Sequence, residues 1–170
     1  MTRCEQPEPS DERPTVLVID DELGPRESLR FLLKDDCRVL CADTVAHGLQ
    51  LVREQSLDIV IMDIRMPGRN GLDGLREIRE LDSELAVIML TGFAAVDTAQ
   101  EAIRCQASDY MEKPFDASEM RCAVSRHVEQ TRLRRKIVLL LPKMRRSALG
   151  LHPRGFGVFH FLFAIYLFDP

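Results

Sequence analysis

From Thr15 onward the chain alternates short apolar runs with amphipathic stretches. Residues 15–19 (TVLVI), rich in β-branched side chains and followed by Asp20-Asp21, read as a buried strand. Leu29, Leu32 and Leu33 then recur at helical spacing, and residues 38–42 (RVLCA) form a second, weaker apolar run. Val45, Leu49 and Val52 predict a helix capped by Thr44. Residues 58–63 (DIVIMD) make the clearest strand, and Leu72, Leu75, Ile78 and Leu81 mark the helix after it. Residues 86–91 (AVIMLT) predict a fourth strand, with Val96, Ala99, Ala102 and Ile103 on a fourth helix. Residues 108–112 are a short fifth strand before Lys113-Pro114. Asp116 with Glu119 has the form of a capping box ahead of Met120, Val124 and Val128.

Five strands alternating with five helices predict a doubly wound α/β fold, its parallel sheet covered on both faces. Near-continuous apolar strands agree, because strands of such sheets are buried on both sides. Sites in this architecture form at the carboxyl ends of the strands. The residues closing the apolar runs are therefore the candidates: Asp20 and Asp21, Asp63, Thr91 and Lys113.

Charge divides the chain. Residues 1–129 carry a net −11 and residues 130–170 a net +7, within a total of −4. Six of the ten aromatic residues lie in the last fifteen positions. The expected organisation is a polar extension over 1–13, a folded domain over 14–130, and a basic then aromatic tail over 131–170. Pro142 is expected to interrupt any helix continuing into that tail. The apolar run from Gly155 to Phe168 is fourteen residues, short of the roughly 20 a membrane span needs. A surface anchor with weak membrane affinity, a packed terminal helix and a self-association contact all remain open for it. Five cysteines without ligand spacing argue against disulfide or zinc frameworks and for a reducing, cytoplasmic setting. Cys37, Cys41, Cys105 and Cys122 read as small buried hydrophobes. His47 and His127 lack ligand-spaced partners and read as surface or helix-face residues.

Carboxylates gathered at one rim repel one another unless a cation joins them. Hard oxygen ligands suit Mg²⁺, which binds through a few carboxylates plus phosphate oxygens. Asp63 as a nucleophile toward phosphorus would give an aspartyl phosphate. Thr91 as a hydroxyl donor and Lys113 as a point charge complete a phosphoryl-transfer constellation. Singly, each of these residues reads as a cap, a turn or a solvated charge; the common rim gives them joint meaning.

The same residues carry a resemblance. Residues 14–130 resemble the response-regulator receiver domain of two-component signalling, the CheY-like family. The likeness rests on four pieces in order. They are Asp20-Asp21; Asp63-Ile-Arg-Met-Pro67 with Gly71, similar to the family's D-x-x-M-P-x-x-x-G loop; Thr91-Gly92; and residues 109–115 (DYMEKPF). The resemblance implies a strand order of 2-1-3-4-5 and a phosphorelay role rather than an enzyme. It implies Asp63 as phosphoacceptor from a histidine kinase, a phosphotransfer protein or a small phosphodonor. It implies Mg²⁺ held by Asp20, Asp21, Asp63 and the backbone carbonyl of Arg65, and Lys113 paired with the acyl phosphate. Thr91 and Tyr110 would be the switch residues, the Lys113–Pro114 bond would be cis, and the fourth helix, fifth strand and fifth helix would signal to a downstream protein.

One position departs from the family, which usually has Gly where Gln106 precedes Ala107. A side chain in a left-handed cap is disfavoured by roughly 1 kcal/mol, so either the turn differs or the domain is less stable. Two other functions compete with this one. A haloacid-dehalogenase-type phosphatase needs a second Asp two residues after its nucleophile, where this chain has Arg65. The receiver part of a truncated DNA-binding transcription regulator fits the basic tail, although no recognisable DNA-binding domain follows.

Overall fold

The computed structural model describes residues 13–92 and 96–149. Its strands are β1 (Thr15–Ile19), β2 (Arg38–Ala42), β3 (Ile59–Asp63), β4 (Ala86–Thr91) and β5 (Asp109–Glu112). Between and after them run α1 (Leu23–Leu33), α2 (Val45–Glu54), α3 (Gly71–Leu81), α4 (Val96–Arg104) and α5 (Ala117–Leu149). All four strand pairings are parallel, in the order β2-β1-β3-β4-β5. The expected fold is the observed one.

Alternation along the strands builds two cores. Leu17, Ile19, Val60, Met62, Val87 and Met89 face one way, toward Leu49 of α2, Leu72, Leu75 and Ile78 of α3, and Ala102 of α4. Val16, Val18, Ile59, Ile61, Ile88 and Leu90 face the other way, toward Leu29 and Leu33 of α1 and Met120, Val124 and Val128 of α5. β1, β3 and β4 are buried throughout, as central strands covered on both faces must be. β2, at one edge, is only partly buried.

Caps set where the helices begin. Thr44 accepts from His47 N, and Asn70 accepts from Leu72 N at 3.0 Å. Asp116 accepts from Ser118 N and Glu119 N ahead of α5. Gln106 occupies the left-handed region with φ 61°, so the family's turn is kept despite the missing glycine. Gln106 N donates to Ile103 O and Ala107 N to Ala102 O, both at 2.9 Å, the paired bonds of a Schellman cap. The Lys113–Pro114 bond is cis.

The far end of α5 differs from the sequence reading in two ways. The helix does not stop at Pro142 but runs to Leu149; proline removes one backbone donor and leaves the remaining bonds of the helix to carry it. The compact unit also reaches Arg135 rather than ending at 130. Thr131 is buried, Arg132 pairs with Asp58, and Arg135 bonds Leu57 O and Asp82. These basic residues have carboxylate and carbonyl partners at the base of the sheet, which composition alone does not reveal. The aromatic run from Gly155 and most of the N-terminal extension lie outside the described residues.

The four described cysteines are unpaired; Cys37 is buried, Cys41 and Cys105 are half-buried, and Cys122 is exposed, against expectation. Its place on the outer side of α5 accounts for that. Among the described residues, no helix is long and apolar enough to cross a membrane.

Candidate acidic site at the sheet rim

The five residues singled out from the strand ends meet at one rim. Asp20 directly follows β1 and is 1% exposed. Its backbone is fixed from two sides: its N–H donates to Ala42 O at 3.1 Å, and its carbonyl accepts from Arg26 Nη1 at 2.5 Å. One side-chain oxygen, Oδ1, accepts from Glu22 N at 2.9 Å, shaping the entry to α1. The other, Oδ2, accepts from Lys113 Nζ at 2.6 Å. Asp63 closes β3 and is almost fully buried, its Oδ1 lying 3.3 Å from the same ammonium without hydrogen-bond geometry. Lys113 thus bridges two carboxylates supplied by residues 43 positions apart in sequence.

The glycine of the loop after Asp63 has a steric reason. A Cβ on Gly71 would collide with the Asp63 carbonyl, so only glycine lets α3 start this close to the end of β3. Gly71 N donates to Ile64 O at 2.9 Å and draws the loop across the rim. Thr91 closes β4, 1% exposed, and its carbonyl accepts from Lys113 N at 2.6 Å. That bond holds the residue carrying the ammonium against the neighbouring strand. A cleft of about 410 Å³ opens beside the carboxylates, lined by Asp21, Ile64, Arg65, Met66, Pro67 and Asn70. Arg65 is exposed at its edge.

Electrostatics at the rim favour a cation. Asp20, Asp21 and Asp63 each present an oxygen within 4.8 Å of the others. Burial raises the Asp63 pKa, Asp20's charge adds to that rise, and Lys113 only partly opposes it. Burial also disfavours the Lys113 ammonium, but the hydrogen bond and charge of Asp20, with Asp63, outweigh it and raise its pKa. One ammonium contacts two of the three carboxylates. Asp21 Oδ1 is buried with no hydrogen-bond partner among the described residues, a cost that a further cation would relieve. The hard oxygen donors therefore fit Mg²⁺.

Tyr110, the second proposed switch residue, lies on β5 against the α3-side core. Its hydroxyl is buried and has no hydrogen-bond partner among the described residues. Sequence reasoning missed other residues. Arg26, which grips the Asp20 carbonyl, carries no signal beyond being an arginine in a first helical turn. His127 is 7% exposed, not superficial, with Nε2 3.0 Å from Asp109 Oδ2. Arg126 Nη2 reaches the same oxygen at 2.6 Å. Burial raises the Asp109 carboxyl, but His127, the Tyr110 N–H and Arg126 together lower its pKa.

Known proteins resemble this chain in sequence and in fold. Residues 16–125 match the family described as the response regulator receiver domain. Transcriptional regulatory protein ZraR of Klebsiella oxytoca is 33% identical over 145 residues, covering 85% of this chain and 33% of that protein. Regulatory protein AtoC of Escherichia coli K12 is 37% identical over 124 residues, 72% of this chain and 27% of AtoC. The solved receiver domain from Clostridium thermocellum superposes with a TM-score of 0.67 at 36% identity, covering 71% of this chain and 98% of that one. The chain belongs to the response-regulator receiver family, a CheY-like module of two-component signalling. It spans about a third of the length of the curated relatives it matches.

Proposed function

We propose that Asp63 accepts a phosphoryl group from a histidine kinase or phosphotransfer protein, making the chain the phosphorylated element of a relay. The observation that carries this reading is the buried Asp63 set among Asp20, Asp21 and Lys113 at the rim of the sheet. An Asp63 oxygen attacks phosphorus, the bond from phosphorus to the donor breaks, and the donor leaves with its electron pair. Asp20, Asp21, Asp63 and the Arg65 carbonyl would hold Mg²⁺, which when bound neutralises phosphoryl charge. Lys113 supports the acyl phosphate as a point charge from the neighbouring strand end. Thr91 donates its hydroxyl toward the phosphoryl group, and Tyr110 reports the change on β5. The α4–β5–α5 face, where Ile103 stands 71% exposed, passes it to a downstream protein. The role is signalling, not turnover of a substrate, in the reducing cytoplasm that unpaired cysteines favour.

Acetyl phosphate with Mg²⁺ should add one phosphate to the full chain, read by intact mass. The Asp63→Asn variant should add none, and excess chelator should suppress labelling of the unaltered chain. Undiminished labelling of the variant would overturn the assignment.

The name of ZraR, a transcriptional regulatory protein, favours a second reading at the level of output, in which this receiver governs transcription. Salt-dependent retention on DNA that vanishes when residues 131–170 are removed would support it.

A further inference from the structure

The opposite end of the sheet carries a second polar cleft, of about 370 Å³, whose lining includes Arg79, Ser108, His127, Gln130 and Arg134 and no carboxylate. Its two arginines differ from the arginines that are paired elsewhere in the domain. Arg26, Arg76, Arg121, Arg126, Arg132 and Arg135 each bond an acidic side chain or the Asp20 backbone. Arg79 and Arg134 have no carboxylate oxygen within 4 Å among the described residues.

Arg79 is half-buried at the end of α3. Its Nε and Nη2 donate to Gln106 O at 3.0 and 2.8 Å, and its Nη1 donates to Leu85 O at 2.5 Å. Three of five donors are thus spent on neutral carbonyls, which orient the guanidinium rigidly without cancelling its charge. Burial works most strongly against the Arg79 charge; the charge of Asp82 favours it, Arg134 adds like-charge repulsion, and Glu84 favours it more weakly. Asp82 is itself occupied, with Oδ2 accepting from Arg135 at 2.7 Å. Arg134, on α5, has no hydrogen bond or ion pair among the described residues. Two guanidiniums with no carboxylate in ion-pair contact among the described residues, one fixed and half-buried, bordering a cleft with Ser108 and Gln130, have the chemistry of an oxyanion site.

We infer that this cleft binds a small phosphate-bearing molecule, with Arg134 and Arg79 as its cationic contacts. The volume exceeds that of a bare phosphate ion, so the remainder of a small metabolite can enter beside Gln130 and Ser83. Such a ligand would join α3, the turn after α4, and α5. The site is separate from the Asp63 rim: it lies at the other ends of β4 and β5 and its lining holds no carboxylate.

The test is a titration of the full chain with inorganic phosphate, at constant ionic strength set by chloride and with excess chelator, followed by amide NMR. Chelator removes Mg²⁺-dependent binding at the acidic rim. Saturable shifts at Ser108, Gln130 and Arg134 are expected, unchanged in the Asp63→Asn variant. Arg134→Gln should weaken binding by about tenfold. That side chain is exposed and unbonded, so the variant keeps its fold, whereas Arg79→Gln frees two carbonyls and is the less safe variant. Shifts that do not saturate, that survive Arg134→Gln at full affinity, or that appear only around Asp20 and Asp63 would overturn the inference.

Discussion

The left-handed turn at Gln106 is held by its carbonyl, not by its side chain. Arg79 donates twice to that oxygen, and the Schellman bonds at Gln106 N and Ala107 N close the end of α4 around it. None of these contacts needs the glutamine side chain, which is exposed. Gln106→Gly should therefore keep every bond and remove the steric strain of φ 61°. A gain of roughly 1 kcal/mol is expected, read as a higher urea midpoint at unchanged m-value. A loss of stability would mean that the side chain contributes a contact of its own. The departure from the family pattern was visible in the sequence; its resolution was not, because the clamp comes from Arg79, 27 residues away. The same contrast runs through the rim. Asp20, Asp21, Asp63, Thr91 and Lys113 were legible because each terminates an apolar run. Arg26, which fixes the Asp20 backbone, was not, since nothing local distinguishes it from a solvated arginine.

Among elements, the central strands were the most legible, because burial on both faces leaves uninterrupted apolar runs. The last turns of the described part of α5 were the least legible. Arg132 and Arg135 look like a basic linker until the fold brings Asp58 and Asp82 beneath them. Asp58 illustrates the coupling. Its carboxylate accepts from Arg132 Nε at 2.8 Å and from Thr15 N at 2.8 Å, so it ties α5 to the start of β1. Burial raises the Asp58 pKa, but Arg132, the Thr15 N–H and the charge of Arg135 outweigh it and the net shift is downward. A carboxyl with a lowered native pKa stabilises the fold above its unfolded value, and that stabilisation is lost as pH falls through the native value. Asp58→Asn should cost roughly 1–3 kcal/mol at neutral pH. The difference from the unaltered chain should shrink below about pH 4, as Asp58 itself becomes protonated. Thermal unfolding across pH 3–7 (roughly the span from the carboxylate range to neutrality) checks this, and a gap that stays constant would contradict the assigned role.

At the scale of the whole molecule the two ends of the sheet are chemically opposed. Carboxylates crowd the carboxyl ends of β1 and β3, while Arg79, Arg132, Arg134 and Arg135 gather at the other end. The charge division along the chain hinted at this polarity, yet composition placed the boundary at 130, inside a helix whose next five residues belong to the same compact unit. A chain ending at Lys136 retains Thr131, Arg132 and Arg135 with their partners. One ending at Thr131 loses the Asp58 pair, the Leu57 carbonyl bond and the Asp82 pair, all partly buried. The shorter chain should be less stable by roughly 1–3 kcal/mol, the range for charged hydrogen bonds of this kind. Both chains should accept phosphate at Asp63 from acetyl phosphate with Mg²⁺, because every residue of the acidic rim precedes Ala117 and lies at the other end of the strands. Equal denaturant midpoints would show that the Arg132 and Arg135 contacts contribute nothing. Loss of labelling only in the shorter chain, while it remains folded, would show that the two ends of the sheet are coupled.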